Sequence, residues 1–78
     1  MEQFNNEDEE FKEVVRMIIR ENSASVAKIQ RFFEYGYSKA ARIVDKMEDL
    51  GFISESNSGV RKIIITPEKF EEYFGEKL

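Results

Sequence analysis

The chain has no cysteine, no histidine and no tryptophan among its 78 residues, and a single proline. The lack of cysteine rules out a disulfide framework and thiol chemistry, and the composition suits a reducing cytosol. With histidine missing as well, catalysis finds no support: the carboxylates fall on solvated helical faces rather than in a recognisable cleft. No glycine loop of the phosphate-cradling kind occurs, so an ATPase motor is not encoded here, and the spacing of a calcium-binding EF-hand is also absent. No apolar run approaches the ~20 residues that span a bilayer, and Met1 leads into an acidic segment unlike a secretory signal. The expectation is a cytoplasmic chain without metal, cofactor or membrane contact. Internal repeats and low-complexity tracts are missing too.

What is present fits one small domain near the lower size limit for unaided folding, with 41% hydrophobic and 13% aromatic residues to form a modest core. The net charge is -4, but it is unevenly spread along the chain. Residues 2–10 carry five acids (Glu2, Glu7, Asp8, Glu9, Glu10) and no base. Residues 25–47 carry five bases (Lys28, Arg31, Lys39, Arg42, Lys46) against Glu34 and Asp45, a local charge of 5 - 2 = +3. Arg61 and Lys62 form a separate basic pair. A basic region inside an acidic chain implies short-range attraction to a polyanion with weak long-range steering, hence salt-sensitive binding.

Residues 1–5 have no apolar period and are expected to be a loose tail. Asn6 followed by acids, with Glu9 in the capping-box position, predicts a helix start. Phe11, Val14, Val15, Ile18 and Ile19 then share one face, and Asn22 is a plausible stop. Ser25 is expected to cap a short second helix that buries Val26, Ile29 and Phe33. Tyr35-Gly36 is expected to make a turn that uses glycine's backbone freedom. A third helix over about 37–50 would bury Tyr37, Ala40, Ala41, Val44 and Met47. Ser38, Arg42, Asp45 and Asp49 lie opposite, flanked by Lys39 and Lys46, and Gly51 ends the helix. Phe52-Ile53-Ser54 and residues 60–66 read as two strands around a polar turn. Thr66-Pro67 opens a closing helix whose Phe70, Tyr73 and Phe74 are expected to pack on the first.

Helix, turn and second helix with a polar outer face are the parts of a helix-turn-helix, and three helices followed by a hairpin give the winged-helix order. The predicted fold is therefore mainly α with a small β-hairpin. A three-helix bundle over residues 6–78 carries a two-stranded wing at about 52–66 and a C-terminal helix.

Ile29-Gln30-Arg31, Gly36-Tyr37, Ala40-Ala41-Arg42-Ile43-Val44, Met47-Glu48 and Gly51-Phe52-Ile53 together resemble the C-terminal gamma domain of the FtsK/SpoIIIE DNA translocases. A looser likeness runs on through Ser58, Arg61, Ile63, Ile64 and Thr66, so that it covers roughly residues 10–70. The resemblance implies a domain that binds double-stranded DNA and reads a short G-rich, directionally asymmetric chromosomal sequence. It would thereby orient a hexameric, ATP-driven pump in chromosome segregation and cell division. Its implied partners are DNA, other copies of the domain in the hexamer and, in some members, the tyrosine recombinase that resolves chromosome dimers.

Arg42 is the foremost candidate contact. Its guanidinium can donate two parallel hydrogen bonds to guanine O6 and N7, and the resemblance places a guanine-reading arginine here. The plainer alternative is a solvated arginine paired with Asp45 at helical spacing. Asp45 can accept from cytosine N4, hold Arg42 in its reading rotamer, or be a surface ion-pair partner. Ser38 and Lys39 stand where the family usually has Asn and Arg. Serine is base-tolerant or caps the helix, while lysine keeps a point charge without the guanidinium fork. Lys46 adds a flanking charge. Gln30 and Arg31 face the phosphate backbone that the second helix crosses, or are a solvated pair. Arg61 and Lys62 contact phosphate or minor groove, or merely solvate an edge strand. Gly59 and Val60 replace the family's Lys and Pro, which removes one charge from the wing tip. Two other functions use the same fold: a free-standing transcriptional regulator, which would dimerise to read two half-sites, and a protein-interaction module that ignores DNA.

Overall fold

The computed structural model describes residues 6–56 and 61–78. The expected tail at 1–5, and the wing-tip residues Ser58, Gly59 and Val60, lie outside the described residues. Among the described residues four helices are formed: α1 (Glu7–Glu21), α2 (Val26–Phe33), α3 (Tyr37–Asp49) and α4 (Pro67–Phe74). The domain is small and mainly helical.

The helix starts follow from their capping residues. Asn6 Oδ1 accepts the Glu9 backbone N–H at 2.8 Å, and four acids in the first turn of α1 complement the helix dipole. The Glu9 carboxylate binds Lys12 Nζ at 3.0 Å, so the expected capping box closes on one side only. Ser25 Oγ and Thr66 Oγ1 accept the N–H groups of Lys28 and Lys69 at 3.3 and 3.1 Å, and Pro67 takes the first turn of α4. At the other ends, Asn22 stops α1 in the left-handed region with φ 52°. Gly51, at φ 78°, turns the chain after α3 so that the Phe52 N–H reaches Met47 O at 2.9 Å.

The turn between α2 and α3 differs from the expectation. Gly36 has φ -70° and caps α3 in an extended conformation, and a Cβ there would meet nothing within 4 Å. The left-handed residue is Glu34, with φ 59°, whose N–H bonds Gln30 O. The bend is therefore absorbed by a non-glycine helix end, and the free domain places no steric demand for glycine at position 36.

One core unites the helices: Phe11, Val14, Val15 and Ile18 of α1, Ile29 and Phe33 of α2, Ala40, Val44 and Met47 of α3, Phe52, Ile53 and Ile65 beyond it, and Phe70 of α4. Tyr37, expected inside, is 66% exposed, Ala41 is only half-buried, and Ile43 packs against the core instead. At 100° per residue Tyr37 and Ala41 lie on one edge of the stripe centred on Ala40, Val44 and Met47, while Ile43 lies on the other edge, toward α1. Ile19 and Val26 sit half-buried at the core's rim.

α4 packs on α1 as expected. Phe74 lies 6.1 Å from Phe11 between ring centroids, and the Arg16 guanidinium covers Phe70 at 4.9 Å. Tyr73 remains 49% exposed but meets Phe52 edge-on at 5.1 Å. Beyond α4, Glu76 is bound by Lys12 at 2.9 Å and Arg16 at 2.8 Å, and Arg16 also donates to Lys77 O at 2.9 Å. The hydrogen bond from Lys12 holds the Glu76 carboxyl below the ordinary carboxylate value, and Lys12 is raised in turn, first by Glu76 and then by Glu9. Lys12, seven residues before Ile19 and so at the same edge of α1's apolar stripe, is buried with its ammonium held in this clamp.

Between α3 and α4 the described residues pair through one antiparallel bridge, Ile53 with Ile63. Ser54 N–H donates to Lys62 O at 3.0 Å, and the Lys62 N–H donates to Ser54 Oγ at 2.8 Å. Phe52 O accepts from both Ile64 and Ile65 at 2.9 Å, which ends the ladder as Ile65 turns into the core.

Candidate nucleic-acid interface

The outer side of α3 carries Ser38, Arg42, Asp45 and Asp49, all exposed and at spacings of four, three and four residues, so they form one ridge along the helix. Ala40, Val44 and Met47, fully buried on the opposite side, fix the rotation of α3 that presents this ridge. Among the described residues Arg42 makes no ion pair and no hydrogen bond. The pairing with Asp45 that helical spacing allowed is not formed, so Asp45 does not hold the guanidinium in the free domain.

The two lysines flanking the ridge are engaged on α1. Lys39 Nζ is 2.7 Å from Glu10 Oε2 and lies 4.3 Å above the Tyr35 ring. Lys46 Nζ lies 4.4 Å above the Phe11 ring. Under Lys39 the Tyr35 hydroxyl is buried with no hydrogen-bond partner among the described residues. Burial first, and the Glu10 carboxylate second, push its ionisation far above the usual tyrosine value. Glu7 and Glu10 thus line one groove with Lys39, Arg42 and Lys46. Glu7 and Glu10, remote from the basic region in sequence, adjoin it in space.

The remaining candidates divide between open and engaged. Arg31 and Lys62 are exposed. Gln30 is half-buried in a second groove with Tyr37, Ser56, Arg61 and the N-terminal turn of α2. Arg61 reaches Glu48 Oε2 at 2.6 Å and Ser54 O at 3.0 Å, which ties the segment after α3 to the helix itself. Lys28 is held 3.3 Å from Glu21. Of the five bases counted in residues 25–47, two are neutralised by carboxylates of α1, and Arg31 and Arg42 are the open arginines.

Sequence reasoning missed Glu10, Glu48 and the exposure of Tyr37. Glu10 is 29 residues from Lys39 and Glu48 is 13 from Arg61, separations at which no local period signals a pair. Tyr37 stands at the first turn of α3, where it borders the groove shared with Gln30 and Arg61.

The comparisons with known proteins bear on what this ridge is for. DNA translocase SftA of Bacillus subtilis (strain 168) is 46% identical over 61 residues, which are 77% of this chain and 6% of that protein. DNA translocase SpoIIIE of the same organism is 38% identical over 66 residues, 83% of this chain and 8% of that protein. DNA translocase FtsK of Haemophilus influenzae (strain ATCC 51907 / DSM 11121 / KW20 / Rd) is 43% identical over 54 residues, 69% of this chain and 10% of its own length. The shared part is thus a small domain of each translocase and not its motor. Residues 5–66 match the family described as the Ftsk gamma domain, a range that takes in α1 to α3 and the bridge and stops where α4 begins. The chain belongs to the Ftsk gamma domain family.

Proposed function

We propose that this domain binds double-stranded DNA as a winged helix, with α3 in the major groove and the segment 52–66 as its wing. It reads a short G-rich, directionally asymmetric sequence and so orients an ATP-driven translocase in chromosome segregation and cell division. The observation that carries this reading is Arg42: a guanidinium on the outer ridge of α3, without a protein partner among the described residues, whose fork fits guanine O6 and N7. Asp45 and Ser38 on the same ridge are the neighbouring base contacts. Arg31 and Lys62 are open to phosphate, and Gln30 and Arg61 approach the backbone from the groove beside α2. Lys46 contributes flanking charge, while Lys39 is paired with Glu10. The setting is cytoplasmic, and the partners are the duplex, other copies of the domain in a hexamer and, in some assemblies, a tyrosine recombinase.

The test begins with selection of a preferred duplex from a random pool. Arg42→Ala is then expected to lose about 1 to 3 kcal/mol on the selected duplex and to flatten base preference at one position. Lys62→Ala is expected to weaken all duplexes alike and to reduce the slope of log affinity against log salt by about 1. Equal weakening of selected and random duplex by Arg42→Ala would make Arg42 a phosphate contact. Failure to bind any duplex at low salt would leave the protein-interaction module as the reading.

A further inference from the structure

The contact between Glu10 and Lys39 is better held than an ordinary surface pair. The Glu10 side chain is 17% exposed and that of Lys39 42%, their charged atoms are 2.7 Å apart, and the Tyr35 ring closes a second side of the ammonium at 4.3 Å. A partly desolvated pair of this kind is screened less by salt than exposed charges are. Lys39, Arg42 and Lys46 follow at three and four residues along α3, so a freed Lys39 would extend the basic edge of the ridge by one charge. To reach a phosphate, its Nζ must leave both the carboxylate and the ring.

On the reading that α3 docks on DNA, we infer that Glu10 is a positioning residue of the interface: it holds Lys39 away from the phosphates. The domain then makes one backbone contact fewer than its sequence offers, which keeps its affinity for arbitrary duplex low, because that affinity is carried by phosphate contacts. Glu10 pairs with Lys39 and not with Arg42, so the restraint acts on the lysine.

The inference is tested by measuring duplex affinity across a range of salt for wild type, Glu10→Gln, Lys39→Met and the double variant. Glu10→Gln is expected to bind random and selected duplex alike about fivefold to tenfold more tightly near 0.1 M salt, with the salt slope steeper by about 1, the signature of one added phosphate contact. Lys39→Met is expected to match wild type within about twofold, and the double variant to match Lys39→Met, since the effect of Glu10 runs through Lys39. An unchanged slope in Glu10→Gln, beside clear binding by wild type, would overturn the role of Glu10 and leave the DNA-binding reading intact. The same gain in the Lys39→Met background would overturn it as well, by showing that Glu10 acts through its own charge. If Glu10→Gln unfolds, Lys39→Met decides alone: a slope reduced by about 1 would mean that Lys39 already contacts phosphate. Absence of binding by every variant at low salt would overturn the DNA-binding reading and this inference together.

Discussion

Phe70→Ala is expected to lower the stability of the domain by about 3 to 5 kcal/mol, the usual effect of emptying a buried aromatic site. Phe70 is fully buried, lies 4.7 Å from Phe74 between ring centroids and is covered by the Arg16 guanidinium. Its removal leaves a cavity beneath Arg16 of α1 and beside Phe74, whose ring also meets Phe11 and Phe52. A chain of this size commonly has only about 5 to 15 kcal/mol of total stability, so a large share is at stake. Phe32→Ala, at a side chain 54% exposed, is expected to change stability by less than about 0.5 kcal/mol. Urea unfolding of both variants followed by circular dichroism checks the pair. Equal, small effects would mean that the family-matched residues 5–66 hold their fold without α4.

The second large effect concerns copy number. A domain of net charge -4, presenting one arginine beside two aspartates on its ridge, is expected to bind DNA weakly as a monomer. Several copies near one DNA segment turn later contacts into intramolecular ones, and linked modules gain about 10²- to 10⁴-fold over one module when the linker spans the sites. A covalently linked trimer is therefore expected to bind a selected duplex tighter than the monomer by a factor in that range. The unlinked chain should sediment as a monomer without DNA and occupy one short site in tandem copies. Analytical ultracentrifugation and titration of the linked trimer measure both halves. A stable DNA-free dimer that occupies a palindrome would move the assignment to a transcriptional regulator.

Much of the fold was legible because its signals are local. Asn6, Ser25 and Thr66 act within three residues of themselves, and the spacing in α1 names its buried face directly. Tyr37 was not legible: a period of 3.6 residues says which side chains share a stripe but not where neighbouring elements centre it, and here α1 draws the centre toward Ile43. Gly36 suggested a glycine turn, yet Glu34 bears the left-handed conformation. The ridge of Ser38, Arg42, Asp45 and Asp49 emerged as read, since it is the complement of a strongly apolar stripe. Its electrostatic setting did not, because Glu10 meets Lys39 and Glu48 meets Arg61 only through tertiary packing. Separation of charge along the chain therefore misled about separation in space.

The central claim, that α3 enters the major groove, is tested most directly by titrating the isotopically labelled domain with a selected duplex and following its backbone amide NMR signals. The account predicts shifts or broadening concentrated in Ser38 to Lys46, with a second group at Arg61 and Lys62. Changes confined to α1 and α4, with the α3 signals unmoved, would contradict it.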